Sequence, residues 1–284
     1  MRTKAWLGAI LFSLLPIIVY AENPKDTLVQ ELYAKSGMEK QFEQVPLVIQ
    51  AGFDQAVRKD ERLQKLPQNL TAVIRALAPE AFTPESLKAA MVAELRNKLT
   101  VQDIKKVLAW LDSPLGKNCT RLEEEASTPE TLTELEKFAA QIKNSPPTAK
   151  RLDLLRKLDT AIKGAETNIE IAINNQVAIA LAANATLPAE QQIPPAQIIR
   201  EMAKIRPQVE AAVKAQTLIS DMYTYRSLTE AQIKQYLDFL RSPAGSKYMS
   251  VSMAAFKKAL FDGSIKWGKA IGEAMAHMQS QSNV

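Results

Sequence analysis

The sequence predicts an all-α protein made of two tandem helical-bundle units behind a cleavable signal peptide. Three observations favour this class. One stretch of 18 residues occurs twice, apolar residues recur at three- and four-residue spacing, and glycine is scarce, with nine in 284 residues. The alternation of β-branched and polar residues that is typical of strands does not occur.

The repeated stretch spans residues 99–116 and returns 129 residues later at 228–245. Nine of its 18 positions are identical: the Leu-Thr opening, an Ile-Lys pair, two leucines, and the Ser, Pro and Gly of Ser-Pro-x-Gly. Composition alone would not produce so many matches in register. We therefore predict two copies of one unit.

Each copy predicts a helix, a sharp corner and a second helix. Thr229 and Gln232 have the spacing of a capping box, and Thr100 and Asp103 have the same spacing in the first copy. The Ser-Pro pair ends the first helix and can begin the next, and the glycine that follows lets two backbones approach closely. The apolar stripe behind each cap consists of Ile104, Val107, Leu108 and Leu111, and of Ile233, Tyr236, Leu237 and Leu240.

The pattern Leu-Thr-x-x-x-Ile-Lys-x-x-Leu-x-Phe-Leu-x-Ser-Pro-x-Gly resembles domain of unknown function 2059 (DUF2059), a family of exported bacterial helical proteins. The resemblance is strongest from Tyr223 to Met275, and the first copy is similar in a diverged form. The resemblance implies the fold class and export. It implies no activity and no catalytic residues. This chain differs from the family's usual single copy because it contains two.

The N-terminus has the features of a signal peptide over residues 1–21. Arg2 and Lys4 precede an uncharged apolar run, and small or modest residues at 19–21 predict cleavage before Glu22. An uncleaved anchor is the alternative, although the run is slightly short for a span of about 20 residues and contains Pro16. Cleavage would leave a periplasmic or secreted chain with no stable membrane span.

Charge argues against nucleic acid as a partner. Loss of the leader takes the formal net charge from +5 to +3, and Lys and Arg alternate with Asp and Glu along the chain. One basic cluster near the C-terminus could contact an anionic surface of the cell envelope, or it could be a solvated helix face. It consists of Lys257, Lys258, Lys266 and Lys269.

A run of helix breakers at 144–148 predicts the boundary between helical unit 1, at 22–143, and helical unit 2, at 149–284. Within unit 1, we expect Gly37 to end the first helix and Pro46 to kink the second helix or mark its true start. Capping residues and prolines predict helices that begin near Asn23, Met38, Pro67, Thr83 and Thr128.

Unit 2 is expected to begin with one long helix whose heptad seam extends from Leu155 to Ile179. The seam could pair with another helix of the chain or form a coiled-coil dimer face. A polar loop at 184–196 and two shorter helices should follow. Gly263 is expected to break the chain before a last helix on which small residues allow close packing. They are Ser264, Gly268, Gly272 and Ala276.

Residues that could carry chemistry are few, and we expect no catalytic, cofactor-binding or metal-ligating residue. His277 is the only histidine and lies near the C-terminus, and motifs for zinc, phosphate or a serine nucleophile are missing. Cys119 is the only cysteine and is expected to be a packed thiol; an intermolecular disulfide and a reactive site are the alternatives. Trp110 is expected in the core.

An acidic cluster could supply paired carboxylates for glycoside cleavage, or it could be a solvated face. It consists of Glu123, Glu124, Glu125, Glu130, Glu134 and Glu136. The sequence favours a non-enzymatic module that binds a partner protein or an apolar ligand. A carboxylate-dependent cell-envelope hydrolase and a homodimeric assembly factor are the alternatives.

Overall fold

A computed structural model describes residues 23–59, 64, 68–185, 189–204 and 206–282. These residues form thirteen α-helices, one short 3₁₀ turn and no strand, which confirms the all-α prediction. The predicted signal peptide and the helix start at Pro67 lie outside the described residues. Within the described ranges, no helix is both long enough and apolar enough to cross a membrane.

The helices divide at the predicted boundary into seven before it and six after it. Those before it are α1 (Pro24–Lys35), α2 (Met38–Lys59), α3 (Gln68–Ala81), α4 (Pro84–Lys98), α5 (Val101–Leu111), α6 (Pro114–Ala126) and α7 (Glu130–Ile142). Those after it are α8 (Ala149–Ile162), α9 (Gly164–Ala185), α10 (Pro195–Lys204), α11 (Arg206–Thr224), α12 (Glu230–Arg241) and α13 (Pro243–Ser282).

The two copies of the repeated stretch fold alike. Both predicted capping boxes form, at Thr100 with Asp103 and at Thr229 with Gln232. At each corner the serine hydroxyl accepts a hydrogen bond from the backbone N–H of the glycine, at 3.0 Å in the first copy and 3.1 Å in the second. The duplication itself stays a prediction, but the matched corners are the geometry that it requires.

Each glycine permits a close approach that a side chain would prevent. A Cβ atom at the first corner glycine, Gly116, would lie 2.0 Å from the carbonyl oxygen of Trp110. At the second corner, a Cβ atom on Gly245 would lie 2.2 Å from the carbonyl oxygen of Phe239. Real Cβ atoms do not come so near to a carbonyl oxygen, so the glycine is what allows the helix to reverse tightly behind the serine.

Two hydrophobic cores cross the predicted boundary between the units, and a third, around Ile169, Ile173 and Val177, lies within the second unit. One core joins α1 to α5 with the last helix, α13, which contributes Leu260, Trp267 and Ile271. The other core joins Cys119 and Leu122 of α6 with α8, α11 and α12. As a result, α13 packs on α5 and α6 packs on α12, so the second helix of each corner contacts the first helix of the other corner.

One glycine and one proline for which the sequence predicted helix boundaries or kinks lie inside helices. The prediction that Gly263 breaks the chain is wrong, because α13 continues through it for 40 residues in all. A Cβ atom at Gly263 would lie 2.5 Å from Cδ1 of Phe82, so this glycine gives α13 room to pack on the end of α3. Pro46 lies inside α2 and does not mark its start.

The predicted long helix of the second unit is interrupted at Lys163. This residue adopts a left-handed conformation, with φ of 58°, and separates α8 from α9. Asp159 stabilises the break, because its carboxylate accepts a hydrogen bond of 2.7 Å from the N–H of Ala165. The seam residues Leu155 and Leu158 are buried in a core of this chain, and Gln176 is exposed.

The small residues of α13 mark an intramolecular contact. Ser264, Gly268 and Gly272 are buried, whereas Ala276 is exposed. The helix packs along α9 on one side and along α3 and α4 on another. The expectation of close helix packing is thus confirmed for three of the four positions.

Candidate ligand-binding cavity

Two adjoining cavities lie where the helices of the two cores meet. Their volumes are about 310 and about 430 Å³. We call the first the aromatic cavity and the second the apolar cavity. They adjoin along a set of common lining residues: Met38, Gln41, Ala126, Ser127, Asn168, Ser220, Met253 and Phe256. Together they have the size of a small-molecule site, for which several hundred Å³ is usual.

The apolar cavity is walled mainly by aliphatic and aromatic side chains of α2, α7 and α13. Examples are Val45 and Ile49 of α2, Leu132 and Leu135 of α7, and Leu260 of α13. Among the residues that the structure describes, no Asp, Glu, Lys, Arg or His lines it. Such a cavity offers van der Waals contacts to an apolar molecule. It has no charged lining residue, among those described, that a ligand would have to neutralise.

The aromatic cavity lies where the two corners meet. The Trp110 ring of the first corner stacks on two rings of the second, with centroid distances of 4.6 Å to Phe239 and 5.6 Å to Tyr236. The prediction that Trp110 belongs to the core agrees with this stacking. Six aromatic rings line the cavity: Trp110, Tyr225, Tyr236, Phe239, Tyr248 and Phe256.

Glu123 is the acidic residue of the aromatic cavity. Its Oε1 atom accepts hydrogen bonds of 2.8 Å from the hydroxyl groups of Tyr225 and Tyr236. Burial among the helices raises the pKa of Glu123, whereas the two tyrosine hydrogen bonds lower it. The side chain is surrounded by protein but keeps some accessible surface, because the cavity reaches it. Helix α6 thus presents one carboxyl group to an otherwise uncharged space.

The acidic cluster predicted as a source of paired carboxylates is not brought together in this cavity. Only Glu123 lines it, and Glu130 is exposed. The remaining four bond to other side chains: Glu124 to Lys40, Glu125 to Arg121, Glu134 to Tyr223 and Glu136 to Gln55. The cluster is therefore mainly a set of surface contacts.

A second pair of acidic residues was missed by sequence reasoning. Asp221 of α11 is only 7% exposed, and its Oδ2 atom has no hydrogen-bond partner. Burial raises its pKa to about 8, with further contributions from the negative charges of Asp159 and Glu123. Burial also raises the pKa of Asp159. Asp221 lies four residues after the buried Thr217, on the inner face of α11.

Both acids line a third pocket, of about 360 Å³, together with the basic residues Arg156 and Lys214. Within the described ranges, no cluster of three or more His, Cys, Asp or Glu residues could hold a metal ion.

Cys119 is buried, as expected of a packed thiol, and is 2% exposed. Burial, with a smaller contribution from Glu123, raises its pKa to about 12. A thiol with so high a pKa is a poor nucleophile near neutral pH. His277 is exposed near the end of α13 and lines none of these cavities.

The basic cluster of α13 is engaged mainly within the chain. Lys257 pairs with Glu166 and Lys258 with Asp262, both through ammonium-to-carboxylate contacts. Lys266 donates a hydrogen bond to the backbone carbonyl of Glu80. These contacts favour the structural interpretation of the cluster over an anionic docking surface.

Comparison with known proteins gives one result. Residues 85–142 match the model of the DUF2059 family, described as an uncharacterized protein conserved in bacteria. The resemblance is confirmed, but the match covers the first copy, whereas the sequence reading placed the stronger resemblance on the second. The matched segment includes Trp110, Cys119 and Glu123. No curated protein and no solved structure matches the chain.

Proposed function

We propose that this chain is a non-enzymatic protein that binds an elongated apolar ligand in the two adjoining cavities. The observation that carries the proposal is the joined space of about 310 and about 430 Å³ between helices from both halves of the chain. Protein interiors normally leave few voids larger than a water molecule. An apolar molecule of matching size would gain van der Waals contacts with the walls of this space.

We propose that the protein acts in the periplasm or outside the cell. The charged start and apolar run of residues 1–21 support export. A cell-envelope location would bring the cavity near to amphiphilic molecules. The heptad seam does not support a homodimeric assembly factor, because Leu155 and Leu158 pack inside this chain.

The test is to block the junction of the two cavities with Ser220→Phe. Ser220 lines both cavities, so a phenyl ring there takes up space that the ligand needs. Ala212→Phe on the same helix is the matched control, because Ala212 is exposed and lines neither cavity. Binding of the fluorescent dye Nile red is measured in each protein.

We expect Ser220→Phe to weaken dye binding by about tenfold or more and Ala212→Phe to change it less than about twofold. Equal binding by all three proteins would place the dye elsewhere and overturn the proposal, as would a failure of the unmodified protein to bind the dye. Circular dichroism melts check that the variants are folded.

A carboxylate-dependent hydrolase is the second candidate. The specific observation in its favour is the pair Asp159 and Asp221, whose raised pKa values and shared pocket are typical of acid–base sites. Turnover of small ester or glycoside substrates that is abolished by Asp221→Asn would establish it. No turnover with the unmodified protein would leave the binding function as the better account.

A further inference from the structure

We propose that the ligand is a cationic amphiphile, with an alkylammonium head in the aromatic cavity at Glu123 and an apolar tail in the adjoining apolar cavity. This inference rests on the proposed function and names the chemical class of its ligand. Three features carry it: the position of the carboxyl group, the rings around it, and the charges that line the space.

The first feature is a carboxyl group with no cation to balance it. Among the described residues that line the two cavities, Glu123 is the only Asp, Glu, Lys, Arg or His. Its two hydrogen-bond donors, Tyr225 and Tyr236, are neutral hydroxyl groups. A buried carboxylate without a counter-ion is costly, so an incoming ammonium group would gain an ion pair that the protein does not itself provide.

The second feature is the aromatic lining. Six rings line the same cavity as the carboxyl group, and ring faces attract cations, particularly alkylated ammonium groups that shed water readily. Tryptophan and tyrosine are the stronger of these partners, and the cavity has Trp110, Tyr225, Tyr236 and Tyr248. A carboxylate with surrounding rings is the arrangement that an alkylammonium head requires.

The third feature distinguishes this ligand from a fatty acid. An anionic head would bring a second negative charge next to Glu123. No described lysine, arginine or histidine lines the cavities to neutralise it. The tail does not distinguish the two ligands, because both tails are apolar and the apolar cavity has no charged lining residue among those described.

The test uses three amphiphiles of similar chain length: dodecyltrimethylammonium, dodecanol and dodecanoate. The two ionic compounds are used below their critical micelle concentrations and dodecanol below its solubility limit. Calorimetry measures their affinity for the unmodified protein and for Glu123→Gln, a variant of nearly the same shape without the charge. We expect dodecyltrimethylammonium to bind the unmodified protein about tenfold more tightly than dodecanol, and dodecanoate to bind more weakly than both.

Glu123→Gln should remove the preference for the cation and leave dodecanol affinity within about twofold. A preference that persists in this variant, or equal affinity for all three amphiphiles, overturns the cationic head and leaves the apolar cavity function standing. Binding of none of the three overturns the proposed function itself.

A second measurement needs no variant. Because the cation pairs with the ionised form of Glu123, its affinity should rise with pH through the range in which Glu123 loses its proton, while dodecanol affinity stays flat. The other titratable groups that face Glu123 are Cys119, Glu124, Asp221, Tyr225, Tyr236 and Tyr248. Cation affinity that does not change with pH counts against the inference.

Discussion

The two corners of the molecule are alike in the residues that fold them and unlike in the residues that face the cavity. Both have a capping box, a serine whose hydroxyl accepts from the glycine N–H, and a glycine that lies close to the carbonyl oxygen of the residue six positions earlier. These groups satisfy backbone atoms and permit a tight reversal. Any chain that makes this corner needs them, whatever it binds.

One difference lies about two turns past the corner glycine. Position 123 is a glutamate that lines the aromatic cavity, whereas the equivalent position 252 is a fully buried serine. Tyr236, which donates to Glu123, corresponds to the buried Val107. The repeat therefore preserves the scaffold in both halves, while the carboxyl group and its donor occur once. Folding and binding can be tested separately by substitutions at paired positions.

The largest expected effect comes from the corner glycines. Gly116→Ala and Gly245→Ala should each lower the free energy of unfolding by about 5 kcal/mol, because the new Cβ would overlap a backbone carbonyl that cannot move without opening the corner. Chemical denaturation measures the change. Gly52→Ala is the control, since nothing lies within 4 Å of a Cβ there.

The control should stabilise the protein by about 0.5 to 1 kcal/mol, because alanine is the better helix former. If only one of the two corner variants were destabilised, the corners would differ in their energetics despite their matched geometry. That result would count against a duplicated scaffold.

Much of the fold was predictable because local chemistry decides it. The capping boxes, the Ser-Pro corners and the helix end at Gly37 depend on side chains and backbone within a few residues, and all are observed. The sequence could not show that Gly263 serves contact with Phe82 rather than a break, because the two residues are far apart in the chain. The break at Lys163 was missed because a left-handed lysine has no strong sequence signal.

The candidate site was less predictable than the fold. Glu123 was one of six clustered acidic residues, and nothing local separates it from its neighbours on α6. Its donors, Tyr225 and Tyr236, lie 102 and 113 residues away. Glu123 differs from its neighbours only because α6 packs against α12. That packing belongs to the arrangement in which the second helix of each corner contacts the first helix of the other corner.

The contacts between the two corners lead to the second prediction, which concerns the cooperativity of unfolding. Leu237 and its equivalent Leu108 are buried in different cores. We expect Leu237→Ala and Leu108→Ala each to lower the free energy of unfolding by about 2 to 5 kcal/mol, the usual range for a truncated buried leucine. Both should shift the same single transition, because each core contains helices from both halves.

Differential scanning calorimetry of both variants checks this. Two resolved transitions, with each variant moving only one of them, would show that the cores unfold independently in spite of their shared helices. A change near zero for Leu237→Ala would contradict its burial in the core.

The smallest expected effect is on the pH dependence of the free energy of unfolding, and it again compares position 123 with position 252. Because burial raises the pKa of Glu123 in the folded state, the unfolded chain releases this proton at lower pH than the folded chain does. The stability that the protonated Glu123 provides is present below its unfolded pKa and is lost as pH rises through its folded pKa. The Glu123→Gln variant should therefore lose less stability than the unmodified protein as pH rises through this range, by on the order of 1 kcal/mol.

Ser252→Ala is the matched control, because it alters the equivalent buried position without removing an ionisable group. Its stability should follow the same pH dependence as the unmodified protein. Asp221, whose pKa of about 8 gives a loss of the same sign, is present in all three proteins. Without the charge of Glu123 its pKa is raised less, which also reduces the loss of stability in Glu123→Gln. Urea denaturation between about pH 4 and about pH 9 measures the curves. Identical curves for Glu123→Gln and the unmodified protein would mean that Glu123 titrates alike in the folded and unfolded states, which would place it in contact with water rather than in a buried cavity.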